Sequence, residues 1–130
     1  MVTPNYRLNK MQDSNAQSLA DLRSPTGGQR AVLPPEKKIY FLSDFHLGVP
    51  NPEKSREREK LIVQFLDEAK TDAHTIFIVG DMFDFWFEYR KVVPRGYVRL
   101  LGKLAELSDA GIQLHFFVGN HDMWMKDYFQ

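Results

Sequence analysis

The chain has 130 residues, enough for one small domain or part of a larger one. Its 17 basic and 17 acidic residues cancel, so no charge excess points to a polyanion, and no nucleic-acid partner is expected. There is no cysteine, which excludes disulfides and thiolate metal sites; no run approaches the roughly 20 apolar residues of a membrane-spanning helix, and no apolar secretion signal opens the chain, so a cytoplasmic location is expected.

Residues Met1 to about Pro35 are polar and punctuated by Pro4, Pro25, Gly27-Gly28 and Pro34-Pro35. They show no sustained period of 2 or 3.6, so residues 1–35 read as a disordered N-terminal tail, in which Met11 to Ala20 has only a thin apolar face for a weak helix. Residues 36–130 read as the folded part. Lys38-Ile39-Tyr40-Phe41-Leu42 is a first strand that runs into Ser43-Asp44-Phe45-His46. A Pro- and Gly-broken loop leads to a helix from about Lys54 to Ala69, with Leu61, Ile62, Phe65, Leu66 and Ala69 as its apolar stripe. The charge run Glu53 to Lys60 reads as the solvated start of that helix. Thr75 to Val79 is a second strand and stops at Gly80-Asp81-Met82-Phe83-Asp84, followed by an aromatic segment with Phe85, Trp86, Phe87 and Tyr89. Tyr97 to Asp109 is a second helix with Leu100, Leu101, Leu104 and Leu107 on one face, stopped by Ala110-Gly111. Ile112 to Val118 is a third strand that ends at Gly119-Asn120-His121-Asp122, and Met123 to Phe129 reads as the start of a further helix.

The order strand-helix-strand-helix-strand, in units of similar length, predicts an α/β fold: a βαβαβ, mostly parallel sheet flanked by helices. Right-handed crossovers would bring all three strand-end loops to one edge, where open α/β sheets place their ligands.

Those loops carry the chemistry. Asp44 and His46 are two apart, so on an extended backbone they point the same way. Asp81 comes from the neighbouring strand, and Asn120 and His121 add an amide oxygen and an imidazole from the third. A carboxylate just past a buried strand is costly unless something pairs with it. Oxygen and nitrogen ligands without sulfur suit Mn²⁺, Fe or Zn²⁺. Several of them on adjacent strand ends suggest a two-metal cluster with one carboxylate bridging. The glycines before Asp81 and Asn120 are expected to let the backbone turn sharply. Taken singly, Asp-x-His or Gly-Asp is ordinary loop sequence; the combination, each member after an apolar strand, carries the reading. His74 reads as a loop residue and His115 as a residue on a sheet face.

The set Asp44-Phe45-His46, Gly80-Asp81-Met82-Phe83-Asp84 and Gly119-Asn120-His121-Asp122 resembles the D-x-H, G-D-x-x-D and G-N-H-D/E motifs of the calcineurin-like metallophosphoesterases, from about Lys37 onward. The resemblance implies two divalent ions, Mn²⁺ before Fe or Zn²⁺. Asp44 and His46 would hold the first, Asp81 would bridge both, and Asn120 would bind the second. His121 would be the catalytic residue beside the phosphate, with Asp84 and Asp122 orienting the ligands, and a water activated by both metals would attack phosphorus in line. Tyr40 to Gly48 and Gly80 to Trp86 are similar to the branch of the family that serves lipid A synthesis. That likeness implies hydrolysis of UDP-2,3-diacylglucosamine to UMP and a lipid monophosphate, with peripheral contact at the cytoplasmic face of the inner membrane. Phe85 and Trp86 would then face an acyl chain or pack in the core. His121 stands where the best-known members of that branch carry Arg, so a general phosphodiesterase or phosphatase stays open; a binding module that keeps the fold without the full metal cluster is a further alternative. The family completes its site with later histidines, one of them in a G-H-x-H motif. The chain is therefore expected to be the N-terminal part of the domain, with half of the core and an exposed sheet edge.

Overall fold

The computed structural model describes Arg7–Leu8 and residues 33–129. The elements are β1 (Arg7–Leu8), β2 (Lys38–Leu42), α1 (Pro52–Ala69), β3 (Ala73–Val79), α2 (Val98–Asp109) and β4 (Gln113–Phe117). They form a parallel sheet in the order β1-β4-β3-β2. Tyr40 lies beside Ile76, and Ile76 beside Leu114, so the strands are in step and their carboxyl ends meet at one edge. This is the α/β arrangement that the sequence predicts. Arg7 and Leu8, expected in a structureless tail, pair with His115 and Phe116 instead; β4 would otherwise present unpaired N–H and C=O groups, which a short extended segment satisfies. The rest of that tail up to Val32, including Met11 to Ala20, lies outside the described residues.

Helix α1 starts where its cap dictates. The side chain of Asn51 accepts a hydrogen bond from the Lys54 N–H (2.9 Å), and Pro52 stands at the first helical position, where it has no hydrogen bond to lose. Its buried line is Ser55, Glu59, Ile62, Leu66 and Ala69. Leu61, expected in the apolar stripe, is 66% exposed, and Phe65 only rests its ring edge-on against Tyr40. The charge run is therefore not simply a solvated helix start. The Lys54–Glu57 pair is exposed as expected, but Ser55 and Glu59 are buried.

Glu59 is 4% exposed because it caps another helix. Residue Tyr97, just before α2, has a left-handed backbone (φ 58°) and makes no side-chain cap. The Glu59 carboxylate supplies the missing acceptor, taking the N–H groups of Arg99 (3.0 Å) and Leu100 (3.2 Å) at the positive end of the α2 dipole. Glu59→Ala takes the acceptor from both donors, of which the Leu100 N–H is buried and the Arg99 N–H part-buried. It is expected to cost about 2 kcal/mol in chemical denaturation, and Glu59→Gln, which keeps an acceptor, should lose less.

Ile76 and Ile78 of β3 and Leu114 and Phe116 of β4 pack with Leu66, Leu100, Leu104 and Leu107 into the core. Each such side chain contributes about 1.5–3 kcal/mol of burial. Both helices cover the same sheet face, because two right-handed crossovers run in the same direction. On the other face Phe41, Phe77 and His115 stack in a row, with ring centroids 4.9 and 4.8 Å apart. That row places His115 on a sheet face, as its alternation implies.

Met123 to Phe129 forms turns, not the expected helix. Its backbone donors go to a side chain: Asp127 N–H (2.9 Å) and Tyr128 N–H (3.3 Å) donate to Glu88 Oε2, while Trp86 Nε1–H donates to Glu88 Oε1 (2.9 Å). Burial pushes the Glu88 carboxyl up, but these bonds, with one from the Lys126 backbone, outweigh it and hold the group below the usual glutamate range. A carboxyl whose folded value is depressed stabilises fully above its unfolded value and loses that contribution as pH falls through the folded one. Acidification below the ordinary glutamate range is therefore expected to loosen residues 123–129, read as a change in tryptophan fluorescence, and Glu88→Gln should flatten that pH dependence.

Candidate metal centre

The first two strand-end loops are laced together by backbone bonds. Asp44 N–H donates to Gly80 O (3.3 Å), His46 N–H to Asp81 O (3.0 Å) and Leu47 N–H to Met82 O (3.2 Å). These continue the β2–β3 ladder past the ends of the strands, with the backbone bent: Asp44, His46 and Asp81 all have left-handed φ, at 58°, 42° and 51°. Side chains of this size rarely adopt that conformation, and it persists only where the surroundings over-determine it.

Asp122 joins the third loop to the second. It is 1% exposed. Its Oδ1 accepts the Gly119 N–H (2.7 Å), and its Oδ2 accepts the Met82 N–H (2.9 Å). Asp81 Oδ1 in turn accepts the N–H of His121 (2.9 Å). The two glycines do different work. Gly80 has a positive φ of 79°, as a sharp turn needs, and a Cβ there would also lie 3.0 Å from Gly119 Cα. Gly119 has no such turn: it is needed for space, because a Cβ there would overlap the Asp81 carboxylate.

Two groups of ligand atoms converge. Asp44, His46 and Asp81 form one, and His46, Asp84 and His121 the other; within each group, one ligand atom per residue lies within 4.8 Å of the rest. His46 belongs to both by using its two nitrogens. Nε2 faces Asp44 Oδ1 (3.8 Å) and Nδ1 faces Asp84 Oδ1 (3.6 Å). His121 Nδ1 lies 3.3 Å from the same Asp84 oxygen, and the two imidazoles meet edge to face at 4.7 Å. Carboxylate and imidazole donors without sulfur fit a hard or borderline divalent ion. Asn120 is exposed on the same loop, between Gly119 and His121.

The aromatic pair separates. Trp86 is fully buried against Phe83 and Phe129 and bonded to Glu88, so it belongs to the core and not to a substrate surface. Phe85 is 55% exposed and lies 5.9 Å from Trp124, which also neighbours Phe87. Strand-like alternation through Phe85-Trp86-Phe87 is the signal that separates them. Trp124 is the partner that sequence reading misses, since that residue falls in the segment read as a helix.

The calcineurin-like phosphoesterase family model matches residues 37–130. The chain belongs to that family. It is 53% identical over 91 residues to the UDP-2,3-diacylglucosamine hydrolase of Porphyromonas gingivalis, covering 70% of this chain and 35% of that protein. It is also 37% identical over 87 residues to the protein of the same name from Neisseria meningitidis serogroup B, and 34% identical over 96 residues to that from Haemophilus influenzae. These alignments cover 66% and 72% of this chain, and 34% and 37% of the two relatives. The chain thus spans about a third of the length of the curated relatives that it matches.

Proposed function

We propose that this chain carries part of a two-metal phosphoester hydrolase that splits UDP-2,3-diacylglucosamine into UMP and 2,3-diacylglucosamine 1-phosphate. The observation that carries the reading is the convergence of Asp44, His46 and Asp81 at the ends of adjacent parallel strands, with His121 beside them; the named relatives supply the substrate class. Asp44, His46 and Asp81 would hold one divalent ion, Mn²⁺ before Fe or Zn²⁺, and Asp81 with Asn120 would serve a second. The ions supply the Lewis acidity that activates water and neutralises phosphate charge.

The chain's own residues do the rest. The Asp84 backbone carbonyl accepts from His121 Nδ1 (3.2 Å) when that nitrogen carries the proton, and the Asp84 carboxylate lies beside His46 Nδ1 (3.6 Å), so Asp84 orients both rings and leaves their Nε2 atoms for the site. His121 Nε2 faces the phosphate as proton donor or charge stabiliser. Asp122 orients the loops through its three-way contact with Gly119, Met82 and, at 3.5 Å, the Phe83 N–H. Phe85, Phe87 and Trp124 offer an apolar ledge beside Asp84 to one acyl chain. Among the described residues no helix is long and apolar enough to cross a membrane. The lipid substrate is met peripherally, at the cytoplasmic face of the inner membrane.

The test grafts residues 37–130 in place of the matching stretch of the Porphyromonas gingivalis relative. Mn²⁺-dependent release of UMP from UDP-2,3-diacylglucosamine is the expected result. A folded graft that hydrolyses bis-p-nitrophenyl phosphate in preference to the UDP-lipid would replace the substrate assignment with a general phosphodiesterase.

A further inference from the structure

The charged first half of α1 holds a side chain that this chemistry does not use. Arg58 is half-buried, and its Nη1 donates to Phe45 O (3.0 Å) and His46 O (2.9 Å), with Val49 O at 3.4 Å. We propose that Arg58 is a positioning residue: its guanidinium holds the β2–α1 loop in the shape that presents Asp44 and His46 to a divalent ion. The inference rests on the metal-centre reading above.

Asp44 and His46 sit in left-handed backbone on either side of Phe45. A loop with two such residues relaxes unless it is gripped from more than one side. Its N–H groups are gripped by the β3 loop, through Asp44 N to Gly80 O and His46 N to Asp81 O. The same bent backbone aims consecutive carbonyls, of Phe45 and His46, at one guanidinium nitrogen, so Arg58 grips the other side. Ser55, one turn earlier on α1, takes the Gly48 N–H (2.8 Å) and anchors the far end of the loop. Helix α1 therefore presents Ser55 and Arg58 to the loop as a pair at i, i+3. Charge-assisted bonds to carbonyls are stronger than neutral ones, and the planar fork of Arg loses less freedom in making them than the single ammonium of Lys on its flexible four-carbon stem.

The experiment is Mn²⁺ titration of the 130-residue chain by calorimetry, with circular dichroism and the metal-free melting midpoint recorded for each variant. Arg58→Met keeps most of the apolar stem and removes the donors. It is expected to stay folded and to bind Mn²⁺ about 10–100-fold more weakly, with Arg58→Lys in between. Asp81→Ala is the control that identifies the site. If the unmodified chain binds Mn²⁺ and loses it in Asp81→Ala, while Arg58→Met and Arg58→Lys bind as tightly as the unmodified chain, Arg58 does not position the loop. If Arg58→Met fails to fold, Arg58→Lys decides the matter by the same comparison. If the unmodified chain and Asp81→Ala bind alike, the metal-centre reading itself is overturned, and this inference falls with it. A lowered metal-free midpoint with unchanged Mn²⁺ affinity assigns Arg58 to stability alone and also overturns the proposal.

Discussion

Asp81→Ala in the grafted protein is expected to lower Mn²⁺-dependent UMP release by on the order of 10³-fold or more, without unfolding it. Asp81 follows the central strand of the motif-bearing three, between the loop that carries Asp44 and His46 and the loop that carries His121. Its carboxylate has two tasks. One oxygen accepts the His121 N–H, and the group as a whole lies within ligand distance of Asp44 and His46. Alanine removes both at once. Asp81→Asn is the informative companion: it keeps an acceptor for the His121 N–H but gives up the negative charge that a bridging ligand needs. If positioning of His121 were the main task, Asn would restore most of the activity; if metal holding is, Asn should stay within about tenfold of Ala. Wild-type-like turnover in either variant would contradict the assignment of Asp81 as a ligand.

Gly119→Ala is the second large effect, and it acts through shape. The added methyl would overlap the Asp81 carboxylate and come within 2.5 Å of the Asp81 backbone nitrogen. Neither neighbour is the free end of a flexible chain: the carboxylate is bonded to His121, and the Asp81 carbonyl accepts the His46 N–H. The loops must therefore separate, at about 1–3 kcal/mol of stability and with loss of tight Mn²⁺ binding. Gly102→Ala is the matched control. Gly102 lies within α2 and nothing stands within 4 Å of where its Cβ would be, so that change should stabilise by about 0.5–1 kcal/mol. Denaturant melts of both variants check the contrast. A neutral Gly119→Ala would mean that the two loops are not packed as closely as the structure has them.

The three strands and the residues at their ends were legible because each apolar run stops at a Gly or Ser followed by Asp or Asn, and a right-handed parallel arrangement leaves those ends at one edge. The role of Gly119 was only half legible. Its place in the motif is plain, but a close approach between two loops is a tertiary fact, and sequence suggests a turn instead. The hidden part is carried by polar residues that other elements bury. Glu59 and Arg58 look solvated inside a run of charges; what claims them is the uncapped start of α2 and the bent Asp44–His46 loop, neither of which is adjacent in sequence. A trace existed: Ser55 and Glu59 extend the Ile62–Leu66–Ala69 line backward at helical spacing, so the buried face was longer than its apolar part. Met123 to Phe129 was misread for a related reason, since the donors that a helix would use are taken by Glu88 from another segment.

The most direct test of the metal centre uses the chain's own histidines. There are four, His46, His74, His115 and His121, so their imidazole resonances can be resolved and assigned one by one. His46 and His121 stand at the strand-end loops, His74 pairs with Thr75 Oγ1 (2.8 Å) and His115 stacks on Phe77 across the open sheet face. Substoichiometric Mn²⁺ is predicted to broaden His46 and His121 and to leave His74 and His115 sharp. Broadening of all four together, or of His74 or His115 first, would contradict a divalent-ion site at the ends of these strands.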